Sequence, residues 1–139
     1  MPANAFHRGL LFGAGVCGFT GVLAGTFAAH VLKSRLGADM LNTFEVGARY
    51  HVAHALAVLG LAIAAGAPRS RPAGMLVLAG WFMVVGVVLF AGSLYALALS
   101  EQRWLGRITP FGGLCFLIGW LLIVIAALRA TKARDATPP

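Results

Sequence analysis

"PAGMLVLAGWFMVVGVVLFAGSLYALALS", residues 72–100, contains no Asp, Glu, Lys or Arg. An α-helix crosses the hydrocarbon core of a bilayer with about 20 mainly apolar residues. The stretch exceeds that length, so it reads as a membrane-crossing helix that tilts or projects past the interface. Working outward, residues 9–32, 50–68 and 108–128 are also free of these four residue types. Four crossings leave little sequence for a soluble domain. The expected fold is therefore an all-α membrane protein, with four transmembrane helices in an up-down bundle joined by short loops. The whole chain 1–139 makes one transmembrane domain. Its helices are expected near 9–32, 40–67, 73–100 and 109–129, with a disordered tail at 130–139.

Composition points the same way. Of 139 residues, 60% are hydrophobic and 11% charged, where a soluble domain has about 25% charged. The net charge of +7 does not gather into a patch. Basic residues stand at the ends of the apolar runs, in "HRG" (7–9), "LKSRL" (32–36), "PRSRP" (68–72) and "LRATKARD" (128–135). There they snorkel to headgroups and meet anionic lipid. No basic stretch interleaves with exposed aromatics, which excludes nucleic acid as a partner and leaves the lipid bilayer. Cys17 and Cys115 each lie inside an apolar run, and there is no Cys-x-x-Cys; both read as small buried hydrophobes. The first run is longer than the roughly 7–15-residue core of a signal peptide.

Local signals place the helix ends. Asp39 or Asn42 is the expected N-cap of the second helix, with Asn42 and Glu45 at capping-box spacing. Gly66, Pro68 and Pro72 mark a turn. Trp104 suits an interfacial anchor, and Pro110 suits the first turn of the fourth helix. Gly9 with Gly13, and Gly21 with Gly25, have the four-residue spacing that lets helices approach closely. Both termini fall on one side of an even number of crossings. That side carries six basic residues, Arg8, Arg69, Arg71, Arg129, Lys132 and Arg134. The other carries five, Lys33, Arg35, Arg49, Arg103 and Arg107. The excess of Lys and Arg assigns both termini to the cytoplasm.

One stretch stands out from this pattern. "TFEVGARYHVAHAL", residues 43–56, places Glu45, Arg49, Tyr50, His51 and His54 on one helix. The short loops bring other polar groups to the same leaflet: His30 at the end of the first helix, Ser93 and Tyr95 late in the third, Thr109 and Pro110 at the start of the fourth. His30, His51, His54, Ser93, Tyr95 and Thr109 thus form a candidate polar seam or ligand site. His54 is its deepest member and needs a hydrogen-bond partner from another helix, since an unpaired imidazole in hydrocarbon is costly. Helix one offers His30, helix three Ser93 and Tyr95, helix four Thr109. Glu45 and Arg49, four apart with the acid first, are expected to form a local ion pair.

These segments carry a resemblance. "GTFAAHVLKSRL" (25–36), "RYHVAHALAVLGL" (49–61), "LFAGSLYALAL" (89–99) and "ITPFGGLCFLIGW" (108–120) are similar to characteristic segments of the YgdD family of small bacterial inner-membrane proteins, which have eukaryotic relatives and no known function. The likeness covers roughly residues 9–128. It implies four helices and supplies no activity, substrate or cofactor. Family motifs fall on Ala29, His30 and Leu32; on Tyr50, His54, Ala55 and Leu56; on Gly92 to Tyr95; and on Thr109, Pro110, Gly112 and Gly113. The chain departs from the family at His51, where Gln is frequent, and at Ala28, where Gly is.

Three functions compete. The favoured one is a structural or accessory component in the bacterial inner membrane, belonging to a larger membrane complex or a homo-oligomer. The second is binding of haem, a metal or a small ligand through His30, His51 and His54, since imidazole ligates iron and other transition metals. The third is a small transporter or channel acting as an oligomer. No nucleophile–base pair or paired carboxylates stand out, so no enzyme activity is expected.

Overall fold

The computed structural model describes residues 3–67 and 73–135, with side chains placed over 7–67 and 73–130. Nearly all of these residues lie in four long helices: α1 (Ala3–His30), α2 (Ala38–Gly66), α3 (Ala73–Ser100) and α4 (Thr109–Asp135). Among the described residues there is no strand. All four helices are long and apolar enough to cross a membrane. They contain 27 to 29 residues each, which at 1.5 Å per residue is about 40 Å. That exceeds a hydrocarbon core of about 30 Å, so their ends reach the headgroups. The protein is an all-α membrane protein of four helices.

The ends of the helices differ from the sequence reading in informative ways. α1 begins at Ala3 rather than near residue 9 and stops at His30, where a single 3-10 turn, Leu32–Ser34, takes over. α2 is capped by neither Asp39 nor Asn42. Gly37 holds the cap position with extended backbone, and no side chain bonds to the first turn. Asp39 then sits in the first turn, where a negative charge favours the helix dipole. α4 continues to Asp135. The expected tail therefore begins as helix, because "ATKARD" is rich in good helix formers; residues 136–139 lie outside the described residues. So do 68–72, and with them Pro68, Arg69, Arg71 and Pro72 of the expected turn. Glu101 ends α3 in the left-handed region, φ 56°, and its N–H reaches back to the Leu97 carbonyl at 2.8 Å. That is a helix stop usually made by glycine.

Consecutive helices are neighbours, and α3 is the hub. It packs against α2, α4 and, less extensively, α1, whereas α4 rests almost wholly on α3. α1, α2 and α3 thus form the central unit, and α4 flanks it. Leu10, Val58 and Met83 are fully buried where α1, α2 and α3 meet. A second cluster of Cys17, Ala55, Val87 and Phe116 lies beside it, and Ala28, Leu32, Phe44 and Ala98 form a third near the Leu32–Ser34 turn. Facing outward are large apolar side chains, Phe12, Phe19 and Phe27 on α1, Leu117 and Leu121 on α4. In a bilayer these surfaces face lipid.

Lipid tails are as apolar as the core, so close packing rather than water exclusion holds helices together. Small residues set how close. The α3–α4 contact depends on glycine on both sides. A methyl group on Gly112 would fall onto the Phe90 backbone, and one on Gly86 or Gly119 would meet Phe116 or Met83. In α1, Gly21 is a close-contact position: an added Cβ would come within 3.0 Å of Val52 and 3.3 Å of His51. Gly25 is not, with nothing within 4 Å, and Gly9 and Gly13 have only ordinary contacts. Of the two glycine pairs singled out by spacing, only Gly21 packs tightly.

Gly112→Ala should lower stability by roughly 1–3 kcal/mol, the usual range for overpacking, whereas Gly25→Leu should leave it unchanged. Thermal melting of both variants in mild detergent is the check; equal melting temperatures would contradict the assigned α3–α4 contact.

Candidate functional site

The polar residues of the membrane region form three hydrogen-bonded sets, two of them anchored on α2. The first crosses three helices. The Tyr95 hydroxyl lies 3.1 Å from His51 Nδ1, and His51 Nε2 lies 3.3 Å from Thr20 Oγ1. Thr20 donates its own proton to the Val16 carbonyl at 2.7 Å. Its oxygen is then an acceptor, so His51 carries hydrogen on Nε2 and Tyr95 donates to the bare Nδ1. The bonds run in one direction, from α3 through α2 into α1. Gly47, one turn before His51, makes this possible. The Tyr95 ring lies across it, so that an added Cβ would come within 2.9 Å of the ring. Phe44 packs against the same ring, centroids 4.4 Å apart.

The second set joins α2 to α4. His54 Nδ1 lies 2.8 Å from the Tyr50 carbonyl, which can only accept. Its Nε2 is therefore bare and accepts the indole N–H of Trp120 at 3.3 Å. The ring of His54 stacks on Phe116, centroids 3.5 Å apart and planes 12° apart. His51 and His54, three residues apart and both buried, thus hold opposite neutral tautomers, each imposed by its neighbours. A further bond, Thr109 to Ser93 at 2.8 Å, ties the start of α4 to α3, with Ser93 bonded onward to the Phe90 carbonyl.

His51, His54, Ser93, Tyr95 and Thr109 therefore all lie in one half of the helix assembly, in separate bonded pairs rather than one cavity. Tyr95 meets His51, not His54. His30 is not among them: it is exposed at the end of α1. Glu45 and Arg49 are not joined by an ion pair among the described residues; Arg49 is exposed. At the headgroup level each can be solvated separately, and a surface pair contributes little. The sequence reading did not single out Thr20 and Trp120 as partners. Trp120 carried a signal, since an indole N–H well inside the apolar run 108–128 needs a buried acceptor. Thr20 carried less, because a helical threonine can satisfy itself on its own backbone.

Chemically the arrangement is closed. Among the described residues no buried side-chain nitrogen or oxygen lacks a hydrogen-bond partner, and no three His, Cys, Asp or Glu side chains gather as a metal site. A haem iron or metal at His51 or His54 would have to displace Tyr95, Thr20 or Trp120 from the ring nitrogen it took. The expected ligand set of His30, His51 and His54 does not assemble.

Beside His54, a cleft of about 620 Å³ opens between α2, α3 and α4, walled by Tyr50, His54, Phe90, Phe116 and Trp120. It is shaped by the same glycine contacts that bring α4 onto α3. Its edge residues Tyr50 and Leu117 are 46% and 68% exposed, so the cleft opens sideways toward lipid.

Comparison with known proteins agrees with this architecture. A family model described as a protein of unknown function, DUF423, matches residues 24–113. The chain belongs to the DUF423 family. It is 41% identical over 125 residues to the inner membrane protein YgdD of Escherichia coli K12, covering 90% of this chain and 93% of that protein. It is 40% identical over 105 residues to the membrane protein YwdK of Bacillus subtilis, covering 76% and 84%. Membrane protein SH2409 of Staphylococcus haemolyticus is 36% identical over 120 residues, with 86% and 94% covered. No solved structure matches. For this DUF423 chain the comparisons name a membrane protein and no activity.

Gly47→Ala should act through Tyr95. Crowding the ring lifts the hydroxyl from His51, a bond worth about 0.6 kcal/mol on average within a membrane. Gly47→Ala and Tyr95→Phe should therefore be non-additive, the double variant losing less stability than the two singles together. Strict additivity in detergent unfolding would contradict the Tyr95–His51 bond.

Proposed function

We propose that this protein is a non-catalytic accessory component of a larger membrane assembly, set in the inner membrane with both termini in the cytoplasm. The observation that carries the reading is that every buried side-chain nitrogen and oxygen among the described residues is already bonded within the chain. A general acid, base or nucleophile needs an accessible proton or lone pair, and His51 and His54 offer neither. The histidines hold helices together, and the outward faces of α1 and α4 remain available to a neighbour. The orientation rests on the excess of Lys and Arg on the terminal side of the four crossings.

Affinity purification in mild detergent tests the role. One membrane protein should accompany the chain at near-equal amount, and its assembly should decline when this chain is deleted. Recovery of the chain alone, with no assembly affected by its deletion, would overturn the accessory role. Reporters fused to either terminus test the orientation: activity confined to cytoplasm-specific reporters is expected, and activity confined to reporters that work outside the cytoplasm would reverse it.

A further inference from the structure

The cleft between α2, α3 and α4 has a lining and neighbouring basic residues that suit one kind of occupant. We propose that it is a binding site for one anionic glycerophospholipid, independent of any protein partner. Its volume of about 620 Å³ lies within the roughly 300–1,000 Å³ usual for small-ligand sites. From Pro110 to Trp120, both of which line it, is ten residues of α4, or about 15 Å along the membrane normal. Its wall is mostly apolar, with Phe90, Leu114, Phe116 and Leu117 among its residues, and so takes hydrocarbon chains entering from the bilayer.

Two polar features complement the rest of such a lipid. Tyr50 lies on the wall of the cleft, and among the described residues its hydroxyl has no hydrogen-bond partner in the chain. A hydroxyl left unmet in hydrocarbon is costly. The ester carbonyl of a glycerolipid, at the join between headgroup and acyl chain, supplies the acceptor. Toward the headgroups stand Arg49, which precedes Tyr50, and Arg107, three residues before Pro110. Both are exposed and neither is held in an ion pair among the described residues. A phosphate above Tyr50 meets this positive charge, and basic positions at helix ends favour anionic lipid. The acyl chain then runs past Phe116 to Trp120, and the lateral opening admits it from the bilayer.

Gly113 supplies a way to close the site. It lines the cleft, and a Cβ added there would sit 3.9 Å from Phe90, an ordinary contact. Gly113→Leu thus starts a side chain into the cleft from a Cβ that meets no close contact, and Leu117→Trp at the mouth serves as a second blocking variant should Gly113→Leu not fold. Native mass spectrometry of the detergent-purified chain, supplied with equal phosphatidylglycerol and phosphatidylethanolamine, measures occupancy; thermal melting confirms that each variant is folded. The parent should retain one phosphatidylglycerol in preference to phosphatidylethanolamine. Blocking the cleft should cut retention about tenfold, and Tyr50→Phe, which removes one hydrogen bond, about threefold to fivefold. Arg49→Gln with Arg107→Gln should abolish the headgroup preference while leaving the chain folded. Equal retention of the two lipids by the parent, or unchanged retention by a folded blocked variant, would overturn the proposal.

Discussion

An imidazole inside hydrocarbon needs an acceptor for its N–H and a donor for its bare nitrogen, because no water is present to supply either. That requirement organises this protein. α2 carries two such rings, and their needs are opposite. His51 donates from Nε2 to Thr20 and accepts from Tyr95, while His54 donates from Nδ1 to its own backbone and accepts from Trp120. One ring therefore ties α2 to α1 and α3, and the other ties it to α4. α4 otherwise rests on α3, and the His54–Trp120 bond, with Phe116 packed on His54, Tyr50 and Ala55, links α2 to α4. The bonds are individually small, and their value lies in fixing rotation and register where apolar packing alone is permissive.

Glycine makes the bonds reachable. Gly47 lets Tyr95 lie against α2, Gly21 gives His51 room beside α1, and Gly112 lets α4 approach α3 until Thr109 meets Ser93. Hydrogen bonding and close approach are thus two aspects of one arrangement. The same closeness of α4 to α3, without matching closeness to α2, leaves the aromatic cleft beside His54.

The fold was legible in the sequence because the bilayer imposes a length rule: four uncharged runs of about 20 residues or more read directly as four helices. Their ends were less legible, since the extension of α4 through "ATKARD" and the glycine cap at Gly37 depend on weak local preferences. The half of the membrane in which the polar residues meet followed from loop length alone. Who bonds to whom did not. A shift of three residues along α2 exchanges His51 for His54 as the partner of Tyr95, and only the seat of the Tyr95 ring on Gly47 decides between them. His30 carried the same chemical promise as the other histidines but stands at a helix end, where water or headgroups satisfy it. Spacing likewise gave Gly21 and Gly25 equal standing, although only one of them faces another helix.

The two membrane-embedded histidines are consumed structurally, in opposite neutral tautomers fixed by their neighbours. Nitrogen-15 NMR of histidine-labelled protein in bilayers, assigned with His51→Gln and His54→Gln, reads those tautomers directly. The expected spectrum shows protonated Nε2 with bare Nδ1 at His51, and protonated Nδ1 with bare Nε2 at His54. Finding the same tautomer at both residues, or a mixture at either, would contradict it.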